Sequence, residues 1–357
     1  MTGVSRAAGF RYRAGAAHPA GERARMEQFG TTRAGAAVHA VDLRNGALTA
    51  RVLTFGAILQ DLRLEGCPLT LGAPALAAYD GGPMAYFGAV VGPLAGRMRD
   101  ARAPLGGGHV ALDAGDHPHA LHSGTAGLHR AVWEVAEAAP DRVRLVARAQ
   151  AGAGGLPGAR RFAAIYALEK ATLRLTLEAE TDAPTLVNLT HHGYWHLGGP
   201  PGLDGHRLSI AADRYLPIDA ETLPTGEVRP VAGSRFDFRE GRRLGAADVL
   251  DHCFCLAGRE RSPVEVARLE APNGTALVLA TSAPGLQVFT GDGAATPGHP
   301  GHGGAAYGAR PGLALEPQSW PDAPNHRDFP PIRLDPGQTW RREIAWQIIP
   351  GVRRAQA

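Results

Sequence analysis

The chain has 357 residues, of which 44% are hydrophobic and 20% charged, and its formal net charge is +3 at pH 7. This composition excludes a disordered protein, and the near balance of 37 basic and 34 acidic residues gives no indication of a nucleic-acid or membrane partner. The 47 glycines and 28 prolines disfavour long helices and indicate many turns between short strands.

The two ends of the chain are interpreted separately from its body. The first 25 residues are rich in Ala, Gly and Arg but lack the continuous apolar stretch of a signal peptide. We interpret 1–25 as a disordered tail or as sequence upstream of a true start at Met26, and 351–357 as a C-terminal tail. No segment approaches the ~20 consecutive apolar residues that a membrane-spanning helix needs.

The cysteines bear on the compartment of the protein. There are three of them, too few for a disulfide framework, namely Cys67, Cys253 and Cys255. The last two form a C-x-C pair inside an apolar, strand-like run. A reducing compartment is therefore expected, and we predict a cytoplasmic protein.

Short apolar segments with a two-residue alternation follow one another from about Gln28 onward. AVHAVDLRNG and the segment after it predict two strands joined at Asn45 and Gly46, because Asn and Gly tolerate the positive φ of a tight hairpin. In TLRLTLEAET the apolar side chains Leu173 and Leu175 fall on one face together with Leu177. These patterns are typical of strands with one buried face.

Helical patterns are scarce. Residues 71–82, LGAPALAAYDGG, are the most plausible helix, and it is short. Strands with hairpin-length connections and no alternating helices favour an antiparallel sandwich over a parallel α/β sheet. Because all-β domains often exceed 200 residues and no linker interrupts the body, we predict an all-β fold with a single large antiparallel β-sandwich domain over 26–350.

Several signatures of other protein classes are missing. The chain has no G-x-G-x-x-G after a strand and no G-x-x-x-x-G-K-[ST], so dinucleotide or ATP binding is not expected. H-E-x-x-H and G-x-S-x-G are also absent, which disfavours a zinc protease and a serine hydrolase.

The densest group of polar residues among apolar ones is the segment LVNLTHHGYWHLGG, with Asn188, His191, His192 and His196. In one extended strand, His192 and His196 share a face with Tyr194. Three interpretations stay open, namely zinc ligands, hydrogen-bonded rim histidines, and a sugar site. At a sugar site, aromatic rings stack on the pyranose and an imidazole transfers a proton near neutral pH.

Further candidates lie in other strands. Glu316 ends an apolar strand beside Trp320, where partial desolvation raises the pKa of a carboxyl toward the range of a general base; the alternative is an exposed strand-end Glu. Asp251 and Gln287 are poor strand formers inside apolar strands, so they need partners or solvent. Arg97 follows a Gly-rich apolar segment and offers a rigid fork of donors to hydroxyls or carboxylates.

A second group of histidines precedes the Trp-containing strand AVWEV, and we expect most of its members to be solvated loop residues. They are His117, His119, His122 and His129. Arg99 and Arg102 are interpreted as ordinary surface charges.

Eight segments in a fixed order, from about Phe29 to Ile349, resemble the aldose 1-epimerases, also called galactose mutarotases. They are TFGAILQDL, YFGAVVGPLAGRM, HALHSGTAGLHRAVWEV, NLTHHGYWHLGG, DRYLPIDAETLPTGEVRPVAGSRFDFRE, DHCFCL, PGLQVFTGDG and LEPQSWPDAPNHRDFPPIRLDPGQTW. The resemblance implies a large antiparallel β-sandwich and an enzyme that interconverts the α and β anomers of a free aldose such as galactose or glucose. It implies no cofactor, no metal and no covalent intermediate. We predict a small sugar as the partner, and a monomer or homodimer.

The resemblance also assigns roles to individual residues. His192 matches the general acid of the family, and Glu316 matches its general base. The positions that match sugar-binding residues of the family are Arg97, His122, Asp251 and Gln287.

The chain departs from the family pattern near the arginine. Where the family has G-R-x-A-N-R, this chain has Pro93 in place of the first arginine and Gly96 in place of the asparagine. His191 replaces a frequent asparagine, Ser123 replaces a glycine, and the loop 296–310 is rich in His and Gly. These differences are expected to affect which sugar fits.

Three alternatives to a free-aldose epimerase remain. A hexose-6-phosphate 1-epimerase needs an additional cationic pocket, for which the candidates are Arg99, Arg102 and Arg310. A glycosidase using Glu316 and Asp251 needs their carboxyl groups ~5–9.5 Å apart. A non-catalytic carbohydrate-binding protein is disfavoured because both His192 and Glu316 are present.

Overall fold

The computed structural model describes residues 24–115, 118–199 and 201–351. Most of the proposed tail 1–25, residues 352–357 of the proposed C-terminal tail, and His117 therefore lie outside the described residues. The first strand begins at Arg25. The boundaries of the domain at 26 and 350 and the start at Met26 remain predictions.

The described residues contain 28 strands, numbered here in chain order. The first ten are β1 (Arg25–Thr31), β2 (Ala37–Asn45), β3 (Leu48–Leu53), β4 (Leu59–Leu64), β5 (Cys67–Pro68), β6 (Val90–Val91), β7 (Arg97–Met98), β8 (Arg102–Leu105), β9 (Gly108–Ala111) and β10 (Ala120–Leu121). The next nine are β11 (Glu134–Ala139), β12 (Arg142–Ala149), β13 (Arg160–Glu169), β14 (Thr172–Thr181), β15 (Thr185–Leu186), β16 (Thr190–His191), β17 (Tyr194–Trp195), β18 (Arg207–Ile210) and β19 (Arg214–Tyr215). The last nine are β20 (Arg229–Pro230), β21 (Arg242–Arg243), β22 (Asp251–Cys255), β23 (Val264–Glu270), β24 (Ala276–Thr281), β25 (Gly285–Phe289), β26 (Leu313–Gln318), β27 (Arg333–Leu334) and β28 (Trp340–Ile349).

Helical structure within the described residues is limited to single turns of 3₁₀ helix. These are Leu76–Ala78, Arg99–Ala101, Gly124–Ala126, Leu128–Arg130, Ala153–Gly155 and Ala323–Asn325.

Three antiparallel sheets form the body of the molecule. The five-stranded sheet has the order β1-β2-β3-β4-β5, and the nine-stranded sheet has the order β11-β12-β13-β14-β28-β24-β23-β18-β21. The six-stranded sheet has the order β17-β26-β25-β22-β19-β20. The remaining strands form two-stranded ribbons, in which β6 pairs with β16, β7 with β10, β8 with β9 and β15 with β27.

One hydrophobic core is shared by the three sheets. Val41 of the five-stranded sheet, Leu175 of the nine-stranded sheet and Leu315 of the six-stranded sheet all belong to it and are all 0% exposed. The predicted apolar face of β14 is confirmed, since Leu173 and Leu177 are buried in the same core. Sheets that bury their inner faces against each other form a sandwich, so the predicted all-β antiparallel sandwich is confirmed.

Two local predictions had different outcomes. The hairpin at Asn45 and Gly46 is confirmed, because β2 ends at Asn45, β3 begins two residues after Gly46, and Gly46 has a φ of 60°. The predicted helix over 71–82 is wrong, since only the turn Leu76–Ala78 is helical. Its glycines and proline disfavour helix propagation, and the Tyr79 hydroxyl instead accepts a hydrogen bond from the Ala73 amide at 2.6 Å.

Candidate active site

The six residues assigned by the resemblance line one cavity of about 340 Å³. Apolar and aromatic side chains form much of the remaining lining, namely Tyr86, Phe87, Leu121, Tyr194, Leu216, Ile218 and Phe289. A cavity of this size, mostly apolar with a few convergent polar groups, is typical of a small-molecule site.

The six-stranded sheet supplies three of the polar groups from adjacent strands. Gln287 of β25 lies directly opposite Glu316 of β26, and Cys253 of β22 lies opposite Gln287 on its other side. Asp251 begins β22, one pleat away from Cys253 on the same face. The Gln287 Nε2 donates a hydrogen bond to Asp251 Oδ1 at 2.7 Å. Pairing within the sheet therefore fixes the spacing of the three side chains.

His192 reaches the same cavity from the short segment between β16 and β17. Its backbone is held at both ends, because its N–H donates to the Ala89 carbonyl and its carbonyl accepts from the Gly88 N–H, each at 2.9 Å. The His192 Nε2 lies 3.5 Å from Glu316 Oε1. An imidazole and a carboxyl thus lie next to each other in the wall of the cavity.

Burial shifts the pKa values of this pair in opposite directions. The His192 and Glu316 side chains are only 6% and 3% exposed. Burial lowers the pKa of His192 to about 4, because the charged imidazolium loses hydration. Burial, and then the Asp251 charge, hold the pKa of Glu316 well above its usual range. Since the groups are coupled, near neutral pH they act as one unit with a single proton to share.

His122 presents a hydrogen-bond donor to the cavity. The backbone N–H of Gly96 donates to the ring Nδ1 of His122 at 3.2 Å, and the backbone N–H of His122 donates to the Gly96 carbonyl at 3.1 Å. Burial holds the pKa of His122 well below its usual range, so the ring is neutral. With Nδ1 acting as an acceptor, the ring proton sits on Nε2. This arrangement uses the backbone of Gly96, so it persists although the chain has no asparagine there.

Arg97 and Asp251 form a charged edge of the cavity. Arg97 lies on β7, which pairs with β10 next to His122. Its Nη1 is 3.9 Å from Asp251 Oδ2, and the two side chains are 25% and 33% exposed. Burial raises the pKa of Asp251, while the Arg97 charge opposes that shift.

Several polar atoms in the cavity wall have hydrogen-bonding capacity that no described residue uses. They are Glu316 Oε2, Gln287 Oε1, and both polar atoms of the Gln318 amide. Buried polar atoms normally have partners, and these atoms are available for hydrogen bonds to the hydroxyl groups of a ligand.

The histidines of the zinc interpretation do not converge. His191 packs against Trp346, with ring centroids 5.0 Å apart, outside the cavity lining. The predicted common face of His192, Tyr194 and His196 is wrong, because this stretch is divided between β16 and β17, which belong to different sheets. Only His192 and Tyr194 reach the cavity, so pairing with distant strands overrides the local alternation.

A different group, His122, His192 and Glu316, brings its potential ligand atoms within 4.8 Å of one another. A metal-bound histidine normally donates its second ring N–H to an acceptor. His122 does the opposite, because its Nδ1 accepts the Gly96 N–H and its Nε2 therefore carries the proton. This donor set suits a hydroxyl-bearing ligand better than a cation.

The prediction that the histidines of the second group are solvated is wrong. His119, His122 and His129 are buried, not solvated. His129 packs on Tyr86 with ring centroids 4.7 Å apart, and Tyr86 also contacts the rings of His122 and His192. Sequence reasoning missed Tyr86, because nothing local in YFGAVVG indicates that three imidazoles from other segments surround it.

The arginines proposed for a phosphate pocket do not line the cavity among the described residues. Arg99, whose side chain is 36% exposed, donates to Asp219 at 2.7 Å. Arg310 donates to Asp292 at 3.3 Å and to backbone carbonyls such as that of Gly245 at 3.0 Å. The cationic pocket that a sugar phosphate needs is therefore not formed by these residues.

The glycosidase alternative is disfavoured by the partners of the two carboxyl groups. Asp251 lies on β22 and Glu316 on β26, two strands of the six-stranded sheet that are separated by β25. Asp251 is already engaged by Gln287, and the group facing Glu316 is His192.

Fold and cavity together define an antiparallel β-sandwich protein with a buried imidazole–carboxyl pair in a site for a small polar ligand. No helix among the described residues has the length and apolar character to cross a membrane. The family model described as aldose 1-epimerase matches residues 39–347.

Curated relatives agree with the family match. The galactose mutarotase of Mus musculus is 32% identical over 322 residues, covering 86% of this chain and 92% of the relative. The galactose mutarotase of Homo sapiens is 35% identical over 266 residues, covering 71% and 76%. The aldose 1-epimerase of Escherichia coli (strain K12) is 30% identical over 280 residues, covering 74% and 80%.

Solved structures are similar as well. The aldose epimerase homologue from C. elegans has a TM-score of 0.81 at 29% identity, covering 87% of this chain and 99% of the other. The galactose 1-epimerase from Lactobacillus acidophilus NCFM has a TM-score of 0.79 at 26% identity, covering 92% and 99%. The chain belongs to the aldose 1-epimerase family and is an isomerase.

Proposed function

We propose that the protein interconverts the α and β anomers of a free aldose, such as galactose or glucose, by opening and reclosing the hemiacetal ring. The observation that carries this proposal is the buried pair in the cavity, with His192 Nε2 3.5 Å from Glu316 Oε1. Membership of the aldose 1-epimerase family supports it.

The reaction needs two proton transfers. Glu316 removes the proton of the C1 hydroxyl while His192 protonates the ring oxygen, so the ring C1–O bond breaks and an aldehyde forms. Rotation about C1–C2 and reclosure on the other face of the aldehyde return both protons and invert the anomeric centre. Each group contributes about 10²–10⁴-fold to the rate.

The shifted pKa values favour ring opening. A raised pKa makes the Glu316 carboxylate a stronger base, and a lowered pKa makes the His192 imidazolium a stronger acid. After ring opening both side chains are neutral, which is the state that burial favours. The cavity therefore promotes the proton transfers that the sugar requires.

The remaining polar residues hold the sugar hydroxyls. In this proposal the His122 Nε2–H donates to a sugar oxygen, while Arg97 and the hydrogen-bonded pair of Asp251 and Gln287 orient others. Fixing the sugar relative to the proton-transfer pair accounts for a further part of the rate, through proximity and orientation.

Gln287→Leu is expected to raise the KM for galactose about tenfold with little change in kcat. The substitution removes the hydrogen bond from Gln287 to Asp251, and this interaction contributes equally to the binding of the ground state and of the transition state. Initial rates of optical rotation over a range of galactose concentrations measure both constants. Gln347→Leu, at an exposed position of β28, is the matched control. A fall in kcat at unchanged KM would contradict the binding role.

The pH profile of kcat/KM is expected to be bell-shaped, because the pair works with one proton. Activity falls below about pH 4, where His192 is protonated together with Glu316, and falls again above the raised pKa of Glu316, where both have lost the proton. Polarimetry corrected for the buffer-catalysed rate measures the profile. An acid limb at the ordinary histidine value of 6.5 would contradict the effect of burial.

The setting of the reaction is part of the proposal. We propose a cytoplasmic enzyme, a monomer or homodimer, whose partner is a free sugar and which needs neither metal nor nucleotide. The three cysteines are free thiols, and burial holds the pKa of the Cys253 thiol well above its usual range. Free thiols are compatible with a reducing compartment.

Polarimetry on freshly dissolved α-D-galactose and α-D-glucose tests the function. The protein, without added metal or cofactor, is expected to bring the rotation to equilibrium faster than buffer alone. Acceleration only with a hexose 6-phosphate would move the proposal to the phosphate-specific alternative. The buffer rate with every aldose and phosphate tested would contradict catalysis.

A further inference from the structure

A buried arginine lies behind the wall of the cavity. Arg342 of β28 is 0% exposed, and all of its N–H groups have acceptors. Nε and Nη2 donate to Glu260 Oε1, Nη1 donates to Asn188 Oδ1 at 3.0 Å and to the Leu189 carbonyl at 2.6 Å, and Nη2 also donates to Ser319 Oγ at 2.9 Å. A guanidinium engaged on every side has a fixed orientation.

Arg342 in turn fixes the side-chain amide of Asn188. The Asn188 Oδ1 accepts from Arg342 Nη1 and from the Ser319 N–H at 2.8 Å, while its Nδ2 donates to the carbonyls of Ala95 and Ser319, each at 3.3 Å. Rotating the amide by half a turn would direct its N–H groups at two other donors. The amide therefore has one orientation, in which all of its hydrogen-bonding capacity is used.

Asn188 joins the three chain segments that carry the central polar residues of the cavity. It lies four residues before His192, Ala95 lies two before Arg97, and Ser319 lies three after Glu316. The backbone strengthens this junction, since the Asn188 carbonyl accepts from the Ala95 N–H at 2.8 Å. Neither Asn188 nor Arg342 lines the cavity.

We propose that Asn188 is a positioning residue for the proton-transfer pair and that Arg342 acts through it. The inference rests on the proposed function, because the readout is mutarotation. The Asn188 amide sets the distance between the chain segments that carry His192 and Glu316. Arg342 keeps this amide in the orientation in which it forms its hydrogen bonds to Ser319. A displacement of about 1 Å at such a pair costs on the order of 10²-fold in rate.

Arg342→Met removes every donor at similar length, and Arg342→Lys retains a charged donor. We expect kcat to fall about 10–100-fold in the Met variant and less in the Lys variant, with KM within about threefold of wild type. Arg341→Met is the matched control on the same strand, because Arg341 is 48% exposed and pairs with Glu178 and Glu343 at the surface. It is expected to behave as wild type.

Asn188→Asp keeps the test decisive if Arg342→Met does not fold. The carboxylate retains the interactions with Arg342 and with the Ser319 N–H, but it has no N–H for the carbonyls of Ala95 and Ser319. We expect this variant to fold and to lose kcat on the same scale. A folded Arg342→Met or Asn188→Asp variant with kcat within about twofold of wild type would overturn the proposal.

An NMR titration separates failure of this proposal from failure of the proposed function. If wild type gives no mutarotation, the proposed function fails, but the ring nitrogens of His192 and the carboxyl carbon of Glu316 still report the positioning. In Arg342→Met, looser segments admit water, so the pKa of Glu316 is expected to fall and that of His192 to rise toward ordinary values. If wild type is inactive and the pKa values of His192 and Glu316 are unchanged in Arg342→Met, the positioning proposal is overturned.

Discussion

Replacing Glu316 by glutamine is expected to lower kcat for mutarotation by about 10²–10⁴-fold while the protein stays folded. The amide has nearly the same shape as the carboxyl but does not accept the C1 hydroxyl proton. Because Glu316 lies on β26 with its backbone paired to β25, its position does not depend on its charge. Polarimetry on galactose measures the loss, and a variant that keeps more than about a tenth of wild-type kcat would contradict the base role.

The same substitution is expected to change the pH dependence of stability. The pKa of Glu316 is raised in the folded state, so the folded protein binds more protons than the unfolded chain between the ordinary and the raised value. The contribution of Glu316 to stability is therefore lost as the pH rises through that window in wild type, and this loss is absent in Glu316→Gln. Thermal unfolding at acidic and neutral pH is expected to give a higher Tm for the variant only at neutral pH; a lower Tm there would contradict the desolvation of the carboxyl.

Replacing His192 by asparagine is expected to have an effect of the same size, about 10²–10⁴-fold in kcat. Asparagine fills part of the ring volume and retains polar atoms, but it does not exchange a proton with the ring oxygen. His109→Asn is the matched control, because His109 is exposed on the β8–β9 ribbon. This substitution is expected to leave the rate unchanged.

The double variant of His192 and Glu316 gives an independent check. Since the two groups act as one unit, the kcat of the double variant is expected to equal about that of the less active single variant. The two single-variant losses of kcat are not expected to multiply. A fully multiplicative loss would mean that the residues act independently, contrary to the 3.5 Å contact between them.

Local sequence patterns predicted the parts of the fold that depend on neighbouring residues. The turn at Asn45 and Gly46 and the apolar face containing Leu175 follow from backbone preference and alternation, and both are confirmed. The helix over 71–82 and the continuous strand through His192 and His196 are wrong. The helix is prevented by the glycines and the proline of the segment itself, whereas the strand is divided by long-range pairing, such as that of β17 with β26 about 120 residues away.

The candidate site illustrates the same limit. Residue type and context made His192 and Glu316 candidates with alternatives left open, and the family resemblance assigned them the acid and base roles. Their contact joins segments that only the tertiary fold brings together. The burial of His129 under Tyr86 and the pairing of Arg99 with Asp219 had no local signal. Loop residues become buried when distant segments cover them, and a single sequence does not encode that in any short window.

The departure at Gly96 is explained in part by its backbone. Its φ of 77° is in the left-handed region, and an added Cβ would lie 3.2 Å from Pro321 Cβ. Its N–H still orients His122, so the hydrogen-bond donor that this ring offers to a sugar does not require a side chain at this position.

Exchange of magnetisation between the H1 protons of α- and β-galactose, measured by NMR in an equilibrated solution, tests the central claim most directly. It follows anomer interconversion alone, since no net reaction takes place. A catalytic amount of the protein is expected to accelerate exchange without altering the anomer ratio, and His192→Asn and Glu316→Gln are expected to abolish the acceleration. Exchange at the buffer rate with wild type, or undiminished acceleration in both variants, would contradict the proposal that this pair opens and recloses the sugar ring.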